Sequence, residues 1–449
     1  MHLKTQRRGS SQNNKINTII DSCVQCGLCT ASCPTYLLLQ DERDGPRGRI
    51  SMIKDMLAQD QAPSQHIKTH IDRCLSCHSC MSSCPSQVDY MHLIDAARLH
   101  IETKSSRSLK DRFIRLILSK ILPHPGRFRF ALLLAVFLRP FRNLFKYLGL
   151  KEVRAMLELA PSTPLVSAQF SSGGIAKPNK SRTKRVVLVS GCVQQILRPQ
   201  INDATLRLLA RQGVEVILPP LEKCCGGLAH NLGHRRDAIK SAQNNIDVWY
   251  DLMQYESLDA IIFHTAGCGA MVKDYSTLLQ DDPAYARRAN DISALAQDIT
   301  EFLANYDQDA PHRWSSIKVA YLGACALEHT QRIHEQPRAL LQHAGYTVLE
   351  IPESHICCGS AGTYNILQPD LSQDLQQRKI KNIESVKPDI IAAGNIGCIS
   401  HLKQKTEIPI VHTVELIDWA LGGPCPEGLE SLREKVTDVE SLYQKKSDS

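Results

Sequence analysis

Apolar positions along the 449 residues change character three times. From Cys23 to about Glu102, short helical patterns alternate with cysteine clusters; in one, Pro46 suits a helical first turn and Ile50, Ile53 and Leu57 share a face. From Ser108 to Leu150 the chain is basic and apolar, with Phe113, Leu116, Ile117 and Ile121 on one helical face and an unbroken apolar run from Phe130 to Leu138. That run is too short to span a bilayer, which takes about 20 residues. The segment therefore predicts a surface for an anionic membrane, a grip on a partner subunit, or a connector packed on its own chain. Ser171 to Gly174 and Lys177 to Lys184 read as a flexible polar linker.

Beyond Arg185 the pattern becomes that of strands alternating with helices, and it occurs twice. Val186 to Val189 precedes Cys192 as Val319 to Leu322 precedes Cys325. A second strand ends in proline in both copies (Val214 to Pro219, Tyr346 to Pro352), and Cys224-Cys225-Gly226 answers Cys357-Cys358-Gly359. A third strand (Asp259 to Phe263, Asp389 to Ala392) leads into Gly267-Cys268 and Gly397-Cys398. The expected organisation is a frayed terminus at 1–20, a helical two-cluster ferredoxin-type module at 21–104 and a basic connector and linker at 105–184. Two α/β Cys-Cys-Gly units with parallel sheet character follow at 185–312 and 313–425, then a tail at 426–449. The fold class is a multidomain α+β and α/β chain.

Composition narrows the function. Hydrophobic residues at 43% and charged residues at 22% describe an ordinary globular protein, not a disordered or fibrous one. A net charge of +7 with 5% aromatics argues against nucleic-acid binding. Met1 to Lys15 is polar and basic with no apolar run behind it, so a reducing, cytoplasmic setting is expected, with thiols free to act as ligands. The seventeen cysteines are clustered, which favours metal over disulfides.

Cys23, Cys26, Cys29 and Cys33-Pro34 form CxxCxxCxxxCP, and Cys74, Cys77, Cys80 and Cys84-Pro85 repeat the spacing. Three thiolates from one tight loop reach three corners of an iron–sulfur cube, while the fourth points away and serves the other cube. The expected ligand sets are Cys23, Cys26, Cys29 and Cys84 for one [4Fe–4S] cluster, and Cys74, Cys77, Cys80 and Cys33 for a second. Four cysteines also bind Zn²⁺, but zinc ribbons use two separated CxxC pairs. Asp44-Gly45-Pro46-Arg47-Gly48-Arg49 places two arginines where they could offset cluster charge, or simply begin a solvated helix.

In a parallel sheet the carboxyl ends of the strands share one edge, where ligands bind. Cys192, Cys224, Cys225 and Cys268 should therefore converge, as should Cys325, Cys357, Cys358 and Cys398. They are candidates for a further iron–sulfur or thiol redox centre, with Gly191, Gly226, Gly267, Gly359 and Gly397 letting backbone approach a bulky ligand. Buried free thiols beside glycine-dependent turns would give the same pattern. The histidines are scattered, Cys425 stands alone and reads as inert, and no GxGxxG, GxxxxGK[ST] or HExxH occurs, so flavin, nicotinamide and ATP sites are unsupported.

The doubled cysteine motif, the run Asp44 to Ile50 and the two Cys-Cys-Gly units together resemble the iron–sulfur subunits of glycolate oxidase (glycolate dehydrogenase) over about residues 20 to 420. Cys33-Pro34-Thr35-Tyr36, Ala266 to Ala270 with Val272-Lys273, His355 to Tyr364 and Asn395 to Cys398 carry the likeness. The resemblance implies an electron-transfer role in a hetero-oligomer. A separate FAD-containing subunit oxidises glycolate to glyoxylate, and electrons pass to a membrane quinone or another respiratory acceptor. It also implies a cytoplasmic protein peripherally associated with the inner face of the cytoplasmic membrane. Related modules occur in heterodisulfide reductases, lactate-utilisation proteins and the anaerobic glycerol-3-phosphate dehydrogenase subunit, which leaves D-lactate or glycerol 3-phosphate oxidation, or thiol reduction, as alternatives. In heterodisulfide reductases each unit closes with CxxC, whereas here Met271 and His401 stand at the closing positions.

Overall fold

The computed structural model describes residues 11–438 apart from 61, 142–144, 146–149, 161–172 and 307–312. The N-terminal module is helical. Helices Ser11–Asp21, Pro46–Gln59 and Tyr90–Lys104 bury Ile16, Ile19, Ile20, Ile50, Ile53, Met56, Leu93, Ile94 and Ile101 in one core that also takes in Cys74 and Cys80. The expectation of a frayed terminus fails from Ser11 onward. Ile16, Ile19 and Ile20 lie at helical spacing inside a polar stretch, and that single stripe suffices to dock the helix.

The basic connector forms helices Leu109–Ile121, Pro125–Leu138 and Lys151–Leu159. Its packing straddles both halves of the remainder: Ile114 and Leu118 meet Ile366, while Phe128 and Leu132 pack with Val193, Ile196 and Leu197. The expected face of Phe113 and Leu116 is not the buried one. Both are exposed, and the adjacent pair Ile114 and Leu118 turns inward.

Among the described residues eleven short strands follow: β1 (Ile175–Ala176), β2 (Lys184–Leu188), β3 (Val214–Ile217), β4 (Ala260–Phe263), β5 (Ala296–Asp298), β6 (Arg313–Ser315), β7 (Lys318–Leu322), β8 (Thr347–Leu349), β9 (Ile390–Ala393), β10 (Ile410–His412) and β11 (Val436–Asp438). Two sheets carry the sites. The first runs β1-β3-β2-β4-β5, parallel except for β1, and the second runs β10-β9-β7-β8, all parallel. Without β1 the two orders are the same, β3-β2-β4-β5 matching β8-β7-β9-β10. The residues read as a linker are tied down, because β1 adds an edge strand and the Asn179 and Thr183 amides donate to the Ala210 and Gly213 carbonyls.

Alternate strand residues split between two cores, as a period of two demands. Val186, Leu188, Val319 and Tyr321 join one core shared by both halves, while Val187 and Ala320 enter separate outer cores. The shared core is reciprocal: Gln200–Arg211 packs on Thr413–Ala420 as Glu335–His343 packs on Ile299–Leu303. The helices after the fourth strands both open with a capping box, Asp298 with Glu301 and His412 with Glu415.

Candidate iron–sulfur and thiol sites

Each cysteine loop of the N-terminal module curls through left-handed backbone at matching points. These are Gln25 and Gly27 in the first, Ser76 and His78 in the second, two and four residues after the leading cysteine. Side-chain-bearing residues adopt that conformation at a cost, and it persists where the surroundings enforce it. Its consequence is convergence. Cys23, Cys26, Cys29 and Cys84 line one recess of about 440 Å³, whose wall Cys80, Arg47 and Tyr90 also reach. Cys33 sits at the start of helix Pro34–Leu39 and turns the other way, into electrostatic contact with Cys77, Cys80 and, through Arg49, Cys74.

Burial pushes the Cys29 thiol up to about 11, and the neighbouring Cys23, Cys84 and Cys26 add to it. Cys77 and Cys80 are raised further, by burial first and then by surrounding thiols. Thiols crowded so that each opposes the ionisation of the next suit a cationic centre that holds them as thiolates. The donor set, four sulfurs per group without carboxylate or imidazole, fits iron–sulfur clusters. Polar hydrogens also face the sulfurs: Tyr90 Oη donates to Cys74 at 3.8 Å, the Val88 amide to Cys84 at 3.5 Å and Arg49 Nη1 to Cys33 at 3.9 Å.

The two arginines of the Asp44 to Arg49 run divide between the groups. Arg47 borders the first recess and is anchored on Glu42 at 2.7 Å. Arg49 is 1% exposed, donates to the His70 carbonyl at 2.8 Å and to Thr35 Oγ1 at 3.0 Å, and lies beside Cys33. Asp44, fully buried, holds His70 and Arg73 at 2.9 Å each and Arg49 at 3.5 Å. Burial works against the Arg49 charge, but Cys74, Tyr90, Cys33 and Asp44 together hold its pKa above the ordinary value. Gly48 is obligatory, since a Cβ there would stand 2.1 Å from the Glu42 carbonyl oxygen.

The four cysteines of each sheet edge converge. Cys192 Sγ lies 3.5 Å from Cys224 Sγ, Cys224 and Cys225 interact, and Cys225 meets Cys268 in the first turn of helix Ala266–Lys273. In the second half Cys325 meets Cys357, and Cys358 meets Cys398 in the first turn of helix Ile396–Leu402. Cys224 accepts from both Cys192 and Cys225 and is driven well below the ordinary thiol range, whereas Cys192 and Cys225 are driven up. Hydrogen bonding with Cys357 and then burial push Cys358 up to about 12. Two of the glycines are required by the backbone itself. Gly226 and Gly359 have φ of 87° and 92°, and a Cβ would come within 3.0 Å and 2.5 Å of the Ala238 and Ser372 backbone oxygens on helices Arg235–Tyr255 and Pro369–Ser385.

Met271 packs beside Gly227, next to Cys225. His401 bonds Ser372 Oγ at 3.2 Å in the helix behind, and burial pulls its pKa down to about 4. Cys425 is partly buried against the shared core.

Sequence reasoning missed how the sites meet. Cys77 of the N-terminal module packs with Cys357 and Cys325 in a pocket closed by Leu75, Ile356, Tyr364 and Leu375. His78 bonds Thr330 at 2.8 Å and Ser82 bonds His329 at 2.9 Å around it. The first half touches the module through charged groups instead, His92 to Asp274 at 2.9 Å and His230 to Asp95 at 3.0 Å. Lys379 was also missed: it lies in the helix behind Cys357 and Cys358, buried, with Nζ on the Glu353 and Ser354 carbonyls at 2.9 and 3.2 Å. A helical lysine in a polar pattern gives no signal of burial.

A 4Fe-4S dicluster domain model matches residues 19–88, and a cysteine-rich domain model matches 186–273 and 319–403. The glycolate oxidase iron-sulfur subunit of Escherichia coli (strain K12) is 36% identical over 421 residues, 93% of this chain and 98% of that protein. A probable glycolate oxidase iron-sulfur subunit of Bacillus subtilis (strain 168) is 29% identical over 89% of this chain and 94% of its own length. Lactate utilization protein A of Bacillus licheniformis is 25% identical over 52% of this chain and 99% of its own. A hypothetical protein from Helicobacter pylori of known crystal structure shares the fold at a TM-score of 0.53 and 12% identity, covering 94% of this chain and 74% of that one.

Proposed function

The chain belongs to the family of glycolate oxidase iron–sulfur subunits, and from that premise we propose that it is the electron-carrying subunit of a complex that oxidises glycolate to glyoxylate. Removing a hydride equivalent from a 2-hydroxy acid needs a two-electron cofactor. This sequence has no dinucleotide fingerprint, so that step belongs to an FAD-containing partner subunit. Cys23, Cys26, Cys29 and Cys84 hold one [4Fe–4S] cluster and Cys74, Cys77, Cys80 and Cys33 the other, which supplies single-electron transfer. Arg49, Tyr90 and the Val88 amide direct positive charge and polar hydrogens at the sulfurs, which favours the reduced state.

The observation that carries the reading is the crossing of Cys33 and Cys84 between two thiol groups of one core, with Cys77 abutting Cys357. It supports a continuous line of sulfur sites from the module into the second half. The eight cysteines of the two halves are candidates for an additional redox centre. The receiving end is a membrane quinone or another respiratory acceptor, reached by peripheral association with the inner face of the cytoplasmic membrane. Among the described residues no helix is long and apolar enough to cross one. The paired thiols Cys192 and Cys224 favour a second reading, a thiol or heterodisulfide reductase acting alone.

Glycolate should bleach the visible absorbance of the anaerobic chain only after its flavoprotein partner is added. Reduction of a disulfide substrate by the isolated chain would establish the second reading instead. Bleaching by D-lactate or glycerol 3-phosphate but not glycolate would move the complex to that substrate.

A further inference from the structure

The helix Pro125–Leu138 is apolar on nearly every side, which in a soluble setting means burial all round. It is buried on one side only. Phe128 and Leu132 turn inward at i and i+4, against the Val193 to Leu197 segment that follows Cys192. The opposite side carries Phe130, Leu133, Leu134 and Phe137, with the two phenylalanines 70% and 75% exposed. At 100° per residue these four occupy one stripe, with Arg127 and Arg129 at its two margins. The helix contains no acidic residue, and Arg129 has no carboxylate partner among the described residues. The preceding helix, Leu109–Ile121, adds a second exposed stripe of Leu109, Phe113 and Leu116 beside Arg112.

We propose that the outward face of Pro125–Leu138 docks on an anionic lipid bilayer and seats the first half's thiol site next to the membrane surface. An apolar stripe between two arginines matches the boundary of acyl chains and phosphate headgroups, where an in-plane helix buries its apolar side and the guanidinium groups meet lipid phosphates. Its 14 residues, about 21 Å long, lie flat and do not cross. The inner side of the same helix touches the chain just after Cys192, and His124 at its start is electrostatically coupled to Cys224. The docked face and the thiol site are thus two sides of one helix. This deepens the membrane-acceptor reading above by naming the surface, and it rests on that reading for the acceptor alone.

The full chain with its clusters, kept anaerobic, is sedimented with vesicles of phosphatidylcholine alone and of phosphatidylcholine with phosphatidylglycerol. The expected result is binding to the mixed vesicles that is weakened by salt and falls at least about tenfold in the double variant Phe130→Ser, Phe137→Ser. Visible cluster absorbance stays unchanged in that variant, since both side chains are exposed. In Phe137→Trp, fluorescence emission should shift to shorter wavelength on the mixed vesicles. No binding to the mixed vesicles, or equal binding of the double variant, would overturn the proposal. Protection of residues 125–138 from hydrogen exchange by the flavoprotein partner, with none from vesicles, would overturn it in favour of a protein interface. Failure of glycolate-driven dye reduction by the wild-type complex would count against the relay reading and leave vesicle binding as an independent result.

Discussion

The two Cys-Cys-Gly halves share strand order, capping boxes and a four-thiol edge, yet their thiols face different surroundings. The contacts of Gly226 with Ala238 and of Gly359 with Ser372 put the following helices in register, so that two helical turns further on Asn245 occupies the place of Lys379. Asn245 is neutral, fully buried and bonded to the Lys223 amide at 2.8 Å. Lys379 brings a buried amine to the same place; burial pulls its pKa below the ordinary value, and Cys325, Cys358 and Cys357 nearby work against that. Two residues before the cysteine pair stand Glu222 in the first half, raised to about 8 by burial, and His355 in the second. The second half, which carries the buried lysine, is the one that meets Cys77. The backbone repeat sets where thiols converge, and the side chains behind them set the electrostatics of the two sites apart.

If Cys77 joins the module to the second half, its loss should be felt there and not in the first. Cys77→Ser is expected to release about four irons. Hydrogen exchange should accelerate over 353–364 while 222–231 stays protected; equal acceleration in both would break the comparison. Next in size is Asp44→Asn, which leaves Arg49 and Arg73 without their buried carboxylate and near Tyr364 of the second half. Denaturant titration should show a loss of about 3–5 kcal/mol. A change no larger than that of a surface substitution would show that Asp44 does not anchor the arginines.

Lys379→Met and Asn245→Ala sharpen the contrast further. Both strip hydrogen bonds from partly buried backbone, so each should cost about 1 kcal/mol. Only Lys379→Met should also lower the reduction potential of a second-half centre. Equal redox behaviour of the two variants would remove the electrostatic difference between the halves.

The two contacts should also respond oppositely to pH. Burial opposes charge on His92, but Asp274 and Asp89 outweigh it and hold its pKa up to about 10, above the ordinary 6.5. Its stabilisation of the first-half contact is complete below about 6.5 and fades as pH rises towards 10. Burial holds His329 down to about 4, so the second-half contact weakens as pH falls from 6.5 towards 4. Thermal midpoints across this range should show a shallower alkaline decline in His92→Asn and a shallower acid decline in His329→Asn, with His230 and the likewise depressed His78, His264, His401 and His412 supplying the rest.

Much of this was legible in the residues. The doubled CxxCxxCxxxCP predicts two crossed thiol groups, and the equal spacing from Cys192 to Cys224 and from Cys325 to Cys357 predicts two like sheets. The short strands β5 and β10 were not legible, since three residues carry no usable period. The helix Ser11–Asp21 was hidden because one isoleucine stripe is diluted by polar neighbours. The meeting of Cys77 with Cys357 joins positions distant in sequence, and no local pattern encodes it. The exposed face of Pro125–Leu138 was seen as apolar and basic, but which side turns inward depends on Val193 to Leu197, far along the chain.

Anaerobic iron quantification with EPR of the reduced chain tests the central claim most directly. Two crossed groups predict at least about eight irons and two magnetically interacting [4Fe–4S] signals, with Cys84→Ser removing the cluster of the first loop and Cys33→Ser that of the second. Zinc at these positions, or a Cys84→Ser chain that loses the cluster of its own loop instead, would contradict the account.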